Sequence, residues 1–241
     1  MNVIRSLGTE IKRAIMSLQF PIVILAMIGC SYFHTHTGFP MFTASDYYLF
    51  MIESYGQMTF TICCIVLIAL SVCDDLENKY LRYQIIREGR SVYVLSKMIV
   101  GFCVNYLAIV LSSVIYIGFV MLRYPWSEDP VQNAVIPMLG ESAWILRILV
   151  SSVLLNLSVS IYCEIAMLLA AFVTNRMFCM VVPACIKLIL TGISFVPTYY
   201  FDPSLYSMNG LADVLPVDII IFLLFSCIIF GGLVFRLGRR C

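Results

Sequence analysis

Six long apolar runs alternate with short polar segments along this chain. Three runs contain no Asp, Glu, Lys or Arg: Ala14–Ser45, Ser54–Cys73 and Met98–Leu122. The other three contain at most one such residue: Ile148–Asn175 (Glu164), Met177–Phe201 (Lys187) and Ile219–Phe235 (none). A helix needs about 20 apolar residues to cross a hydrocarbon core about 30 Å thick, and backbone groups cannot stay unpaired in lipid. The pattern therefore predicts an all-α integral membrane protein with six transmembrane helices.

The boundaries of the apolar runs give the expected spans. They are Leu18–Tyr32, Gln57–Val72, Lys97–Met121, Leu146–Val173, Met177–Val196 and Asp218–Phe235. In front of the first span, Ile4, Leu7, Ile11 and Ile15 recur at helical spacing, and basic residues occupy other positions. Residues 2–16 are therefore predicted to form an amphipathic helix in the membrane interface.

Basic residues lie almost entirely in alternate segments between the spans. If both termini are cytoplasmic, the inner segments hold Arg5, Lys12, Arg13, Lys79, Arg82, Arg87, Arg90, Lys97, Arg176, Arg236, Arg239 and Arg240, out of 15 Lys and Arg in all. This topology puts most of the basic residues on the cytoplasmic side, as the positive-inside rule requires, so both termini are expected in the cytoplasm. The net charge of +1 conceals this asymmetry.

No soluble domain, internal repeat or low-complexity segment interrupts the pattern. Residues 1–241 are therefore predicted to form a single transmembrane domain. Its outer loops are expected over 34–56, 122–145 and 197–217. The last loop combines turn formers such as Pro197 and Pro216 with several aromatic residues, so it is expected to return toward the membrane.

The largest inner segment, residues 74–97, reads DDLENKYLRYQIIREGRSVYVLSK. Its apolar members follow a partial helical pattern, and Gly89 is expected to form a turn before a second helix starts near Ser91. A mixed-charge helix–turn–helix suits the docking of a cytoplasmic partner. A solvated connector is the alternative that the segment alone leaves open.

This segment resembles the inner loop of type-2 ABC exporter permeases. The residues that carry the resemblance are Glu77, Tyr80-Leu81, Ile85-Ile86-Arg87, Gly89-Arg90, Tyr93 and Lys97. The plan of an amphipathic helix, six spans and about 240 residues is also similar, so the resemblance covers essentially the whole chain. Glu88 stands where many members of that family have proline.

The resemblance implies that residues 74–97 are a coupling segment that docks onto a separate ATPase subunit, and that two permease chains, the same or related, form the transporter. The docking residues implied are Glu77, Tyr80, Leu81, Arg87 and Arg90. ATP and magnesium would belong to the partner, with no cofactor in this chain, because the sequence has no G-x-x-x-x-G-K-[ST] phosphate loop. The chain is therefore not expected to be an enzyme itself, nor to bind nucleic acid.

Glu164 and Lys187 are the ionisable residues that lie away from the span ends. Each is 11 residues from the turn at Asn175-Arg176, so an antiparallel helix pair brings both to the same depth, about 16 Å from that turn. A lone charge there is costly, which favours an ion pair between them. A structural pair and a direct role in substrate passage or gating are both open.

A polar stripe precedes Glu164 on the same predicted helix. Ser152, Asn156 and Ser160 are spaced by four residues and so share one slowly drifting face with Glu164. Hydrogen bonding between helices and a polar wall along a substrate path are the two interpretations. His34 and His36 lack a further ligand cluster, so no metal site is expected.

The leading hypothesis is the membrane-spanning permease of an ATP-driven exporter in the bacterial plasma membrane. Its substrate would be amphipathic or lipophilic, with membrane-active antimicrobial or toxin peptides as candidates; lipid-linked polysaccharide or a hydrophobic drug would leave the same traces. A membrane scaffold that docks a cytoplasmic partner without transport is a second hypothesis. An ion-coupled secondary carrier using Glu164 and Lys187 is the third, and the lack of an inverted repeat counts against it.

Overall fold

The computed structural model describes residues 3–36, 43–52, 54–77, 80–126, 144–173, 175–192 and 211–240. Their regular structure is entirely helical. In chain order, the helices are α1 (Val3–Met16), α2 (Gln19–His36), α3 (Ala44–Ile52), α4 (Ser54–Glu77), α5 (Tyr80–Glu88), α6 (Arg90–Val120), α7 (Trp144–Phe172), α8 (Arg176–Gly192) and α9 (Leu211–Arg240).

Among the described residues, four helices are long and apolar enough to cross a membrane. They are Gly56–Glu77 in α4, Arg90–Val120 in α6, Ile148–Phe172 in α7 and Ile219–Leu237 in α9. A fifth is added if the bent pair α1–α2 counts as one span. The described part of the chain is thus all helical and suits an all-α membrane protein. By length and composition, four to five of the six predicted spans are present.

The first two helices meet at an elbow. The segments Leu7–Met16 and Gln19–Thr35 are bent by 57° relative to each other. Within the elbow, the Ser17 hydroxyl donates to the Ala14 carbonyl at 2.7 Å. The apolar face of α1, with Leu7, Ile11 and Ala14, packs against the core, while Lys12 is exposed. A helix is therefore present where the apolar spacing of residues 2–16 predicts one.

Helix α7 forms the centre of the bundle. It packs against α4, α6, α8 and α9. In its most apolar 18-residue window 78% of the residues are buried, compared with 11% in α9. Helix α9 therefore lies at the edge of the helix bundle, and most of its apolar surface is not covered by other helices.

The helices place the polar segments at two ends of the bundle. At one end, Arg176 at the start of α8 meets Glu77 at the end of α4, and Arg236 of α9 lies 4.8 Å from the Phe172 ring of α7. We call this the α5 end, because α5 connects α4 to α6 there. At the opposite end, the backbone N–H of Ala44 donates to the Pro125 carbonyl at 3.0 Å, which attaches α3 to the chain that follows α6. We call this the α3 end.

Helix α3 lies in a region where the sequence analysis predicts only a loop. A reciprocal cap starts it: the N–H of Thr43 donates to Asp46 Oδ2 at 3.1 Å, and the N–H of Asp46 donates to Thr43 Oγ1 at 3.3 Å. This is the capping-box arrangement, with Asp in the place of the usual Glu. Tyr47, Tyr48 and Met51 then bury their side chains in the core. The predicted outer loop over 34–56 therefore contains a short helix that the apolar pattern does not predict.

Helix α9 also begins earlier than predicted. It starts at Leu211, seven residues before Asp218, and includes Pro216 in its second turn. Proline has no backbone N–H, so at the sixth residue of α9 it removes one i→i−4 hydrogen bond from the helix. The remainder of the predicted re-entrant segment, residues 197–210, lies outside the described residues.

Gly56 makes the tight passage from α3 into α4 possible. A Cβ at this position would collide with the Met51 backbone carbonyl. We expect Gly56→Ala to destabilise the protein by about 3 kcal/mol, as for severe overpacking. Gly118→Ala is the matched control, because its Cβ would meet nothing within 4 Å. Melting temperatures in detergent should fall for the first variant alone; equal values would show that the α3–α4 passage can relax.

Candidate functional site

Helix α5 presents one face to its surroundings and another to the bundle. Tyr83 and Ile86 are 74% and 83% exposed, and Arg87 is exposed beside them. Gln84 and Ile85, on the other side, are buried. Because Tyr83, Ile86 and Arg87 recur at intervals of three and four, they share one helical face.

Gly89 ends α5 and allows α6 to begin immediately. Its φ of 87° is a left-handed conformation that glycine adopts without strain. The turn expected at this glycine is therefore present, although α6 starts at Arg90 rather than near Ser91. The exposed Arg90 continues the outer side of α5. We call Tyr83, Ile86, Arg87 and Arg90 the α5 face.

Behind the α5 face lies a mostly buried group of charged and polar side chains from four helices. Lys97 of α6 pairs with Glu10 of α1 and Asp75 of α4, each at 2.6 Å. Arg13 of α1 pairs with the other oxygen of Asp75 at 2.6 Å. Gln84 of α5 donates to Glu10 at 3.0 Å. We call Glu10, Arg13, Asp75, Gln84, Tyr93 and Lys97 the charge cluster.

The cluster is nearly isolated from solvent, and its formal charges cancel. Glu10, Asp75 and Lys97 are 3%, 0% and 7% exposed, whereas the Arg13 side chain is 43% exposed. Tyr93 donates to Asp75 Oδ2 at 3.1 Å and supplies a neutral donor as well. Burying charges costs free energy unless each one is paired, so removing any one of the four charged members leaves an uncompensated charge. The cluster therefore holds α1, α4, α5 and α6 in one arrangement.

A second, exposed set of ion pairs joins α4 to α8 at the same end. Arg176 Nη2 lies 2.9 Å from Asp74, and Arg176 also binds Glu77 with both of its forked N–H groups. The hydrogen bonds to Glu77, followed by the charge of Asp74, raise the pKa of Arg176. Solvent screens these pairs, so they orient α8 more than they stabilise it.

The predicted docking residues separate into two groups. Arg87 and Arg90 are exposed in the α5 face, whereas Glu77 is engaged by Arg176 at the end of α4. Tyr80 and Leu81 form the first turn of α5, and their side chains lie outside the described part of the structure. The structure therefore brings Arg87 and Arg90 together with Tyr83 and Ile86, two residues that the resemblance does not single out as docking residues.

Glu164 and Lys187 do not form the predicted ion pair. Both carboxylate oxygens of Glu164 accept from the Ser226 hydroxyl of α9 at 2.9 Å. Lys187 donates to Thr61 of α4 at 2.7 Å and lies 5.4 Å from the Tyr162 ring centroid. Tyr162 and Glu164 are two residues apart, so they project from nearly opposite sides of α7. Helical phase therefore places the two charges on different faces of α7.

The separation has a measurable consequence. We expect the effects of Glu164→Gln and Lys187→Met on the free energy of unfolding to add within about 0.5 kcal/mol, because Glu164 bonds to Ser226 of α9 whereas Lys187 bonds to Thr61 of α4. Thr61 keeps a bond to the Gln57 carbonyl at 2.8 Å when Lys187 is replaced. Unfolding of both single variants and the double variant in mixed micelles measures the coupling. If one substitution instead rescues the stability lost through the other, the two residues interact, and the predicted Glu164–Lys187 ion pair is supported after all.

The polar stripe of α7 is buried and bonds mainly to its neighbours. Asn156 donates to the Phe102 carbonyl of α6 at 3.1 Å, and Ser160 donates to Asn156 at 3.3 Å. Next to the stripe, Asn105 of α6 donates to Cys163 at 3.3 Å. The Asn156 and Asn105 bonds join α6 to α7, which matches hydrogen bonding between helices, the first of the two interpretations of the stripe. The Ser160 bond lies within α7.

Several residues of the site escape sequence reasoning. Glu10 had a signal, because it is an acidic residue three positions after Leu7 and four before Ala14, on the apolar side of α1. Ser226 and Thr61 had none, since a single hydroxyl in an apolar run is ordinary. Among the described residues, no group of three or more His, Cys, Asp or Glu side chains could hold a metal ion.

Comparison with known proteins adds no relatives to this picture. No protein-family model, no curated protein and no solved structure matches the chain. The resemblance to type-2 ABC exporter permeases therefore depends on the residues of the α4–α6 segment and on the order of the helices.

Proposed function

We propose that this chain is the membrane-spanning permease subunit of an ATP-binding-cassette exporter. In this proposal the chain spans the bacterial plasma membrane six times, with both termini and the α5 end in the cytoplasm. A separate ATPase subunit binds ATP and magnesium and docks at the α5 face. A second permease chain, the same or related, completes the transporter.

The α5 face is the observation that carries the proposal. It combines two strongly exposed apolar side chains, Tyr83 and Ile86, with two arginines at the polar end of an apolar bundle. Aromatic and arginine residues are enriched where protein partners bind. The basic side chains suit an acidic or mixed-charge groove on the partner.

The contacts behind α5 supply a route by which a docked ATPase could move the spans. Gln84 joins α5 to Glu10, and Lys97 joins Glu10 to Asp75. A displacement of α5 would therefore act on α1, α4 and α6 together. Such rigid coupling is what a permease without its own ATPase site needs.

Apolar surface that the bundle leaves uncovered supports the proposed contacts with lipid, with a second permease chain and with the substrate. Helix α9 leaves most of its apolar window unburied, and Val181, Leu188 and Ile189 of α8 are exposed. In a membrane this surface is available to lipid and to a second permease chain. An amphipathic or lipophilic substrate, such as a membrane-active peptide, suits a path formed in these surroundings.

The competing functions differ in what they require. A scaffold would use the same α5 face but would not couple its partner to ATP hydrolysis. A carrier that depends on a Glu164–Lys187 ion pair loses that pair, because the two residues bind different helices.

The test is to search the neighbouring genes for one that encodes an ABC ATPase, and to coexpress such an ATPase with this chain. We expect the two proteins to copurify and the complex in lipid nanodiscs to hydrolyse ATP at a rate different from that of the ATPase alone. An ATPase variant that lacks its catalytic carboxylate is the control for hydrolysis. Copurification with no change in hydrolysis would favour the scaffold, and absence of any associating ATPase would overturn the proposal.

A further inference from the structure

A groove runs along the side of the bundle between α6 and α9, with α7 as its floor. It encloses about 480 Å³. The residues that define it include Ile99 and Phe102 of α6, Glu164 of α7, and Phe222, Ser226 and Phe230 of α9. The rings of Phe102 and Phe222 meet across it with centroids 5.6 Å apart. We call it the lateral groove.

Glu164 places a carboxylate among these apolar walls. The residue is 5% exposed, and eight residues separate it from Phe172, which puts it about 12 Å from the α5 end of α7. A carboxylate at such a depth in hydrocarbon costs at least about 2.5 kcal/mol unless a partner compensates it. Lys187 does not compensate it, because that ammonium donates to Thr61 of α4, on a different side of α7 from Glu164.

The bonding of Glu164 leaves capacity for a further donor. An ionised carboxylate has about four acceptor positions. The Ser226 hydroxyl has one proton, although it lies 2.9 Å from both oxygens. No lysine, arginine or histidine lines the lateral groove in the part of the chain that the structure describes. The groove thus combines an anionic group with apolar walls and no cation of its own.

We propose that the lateral groove binds a lipophilic amine in its ammonium form. The N–H groups of the ammonium would donate to Glu164, and the apolar body would lie against Phe102, Phe222 and Phe230. Pairing neutralises the carboxylate and the ammonium together, so each lowers the cost of placing the other in hydrocarbon. A fatty acid or an anionic lipid headgroup would instead be repelled. This binding needs no ATPase partner and is independent of the proposed transport function.

The test uses the purified full chain in phosphatidylcholine nanodiscs, with tritiated dodecylamine as the probe. After subtraction of uptake into empty nanodiscs, we expect one saturable site per chain. Unlabelled dodecylamine should compete at least tenfold better than dodecanol or dodecanoate, which have the same chain length. Equal competition by dodecanol would show that only the apolar walls bind, and it would overturn the assignment to a cation.

Variants assign the binding to the carboxylate. Glu164→Gln should weaken dodecylamine binding at least tenfold, whereas Glu164→Asp, which keeps the charge, should retain more of it. Ile99→Trp should also reduce binding, because it fills the groove and leaves the carboxylate in place. Asp46→Asn is the matched control: it removes a carboxylate from the distant α3 end, and asparagine can still cap that helix. Unchanged binding in Glu164→Gln would overturn the proposal.

Cysteine protection locates the probe without any change to Glu164. Cys227 lines the lateral groove and Cys185 lies on α8, and both are exposed. We expect dodecylamine to slow the reaction of Cys227 with N-ethylmaleimide, measured by peptide mass spectrometry, and to leave the rate at Cys185 unchanged. Equal slowing at both cysteines would show that the probe binds elsewhere, and the assignment to this groove would fail.

Discussion

Replacing Lys97 with methionine should lower the free energy of unfolding by about 3–5 kcal/mol, the largest stability effect expected of a single charge in this protein. Lys97 neutralises Glu10 and Asp75 at 2.6 Å from each. Without it, two buried carboxylates face only Arg13, whose side chain is 43% exposed. Unfolding by sodium dodecyl sulfate in mixed micelles measures the loss.

A second change should recover much of that loss. In the double variant Lys97→Met with Glu10→Gln, Arg13 and Asp75 remain as a balanced pair at 2.6 Å. A glutamine at position 10 can still accept the hydrogen bond that Gln84 donates to Glu10. Recovery arises because the double variant leaves no uncompensated buried charge. If the two changes are simply additive, Lys97 and Glu10 do not interact, and the cluster is not the unit described above.

Arg176 provides the matched control for this cycle. It also bridges two carboxylates, Asp74 and Glu77, but its side chain is 44% exposed. Solvent screening makes such pairs weak, so Arg176→Met should destabilise the protein far less than Lys97→Met. Equal losses would mean that burial is not what makes the cluster important.

The length of the apolar runs determines which segments form spanning helices, whereas packing determines how those helices contact one another. Long apolar runs predict α4, α6, α7 and most of α9, because hydrocarbon imposes helices on them. The predicted turn at Gly89 is likewise present. Helix α3 was missed because it is nine residues long and lies between two spans, where its Thr43–Asp46 cap is a weak signal beside the apolar runs.

The rotation of each helix about its own axis determines which side chains meet in the site, and the sequence does not predict this rotation. Sequence gives the depth of Glu164 and Lys187, but their partners depend on how α7 is rotated against α4, α8 and α9. Such rotation is set by many small contacts that no residue spacing reveals. The charge cluster likewise joins residues from Glu10 to Lys97 that come together only after α1 folds back against α6.

The α5 face should fail to hold an ATPase after one apolar residue is made acidic. Ile86 is 83% exposed beside Arg87, so its side chain can enter a pocket on the partner proposed above. Central interface residues of this kind contribute about 2 kcal/mol or more to binding, so Ile86→Asp should weaken association at least about thirtyfold. Surface plasmon resonance with the permease in nanodiscs and the ATPase in solution measures the change.

Reversal of the two arginines separates charge from apolar contact on the same face. Arg87→Glu together with Arg90→Glu should slow association and reduce its dependence on salt, because exposed charges mainly steer the encounter of two proteins. Lys12→Glu is the matched control: it reverses an exposed basic residue at the same end of the bundle but outside the α5 face. Each variant must melt within a few degrees of the parent chain, so that a loss of binding is not a loss of fold. If Ile86→Asp and the double reversal both bind the ATPase as tightly as Lys12→Glu does, the partner docks elsewhere and α5 is only a connector between α4 and α6.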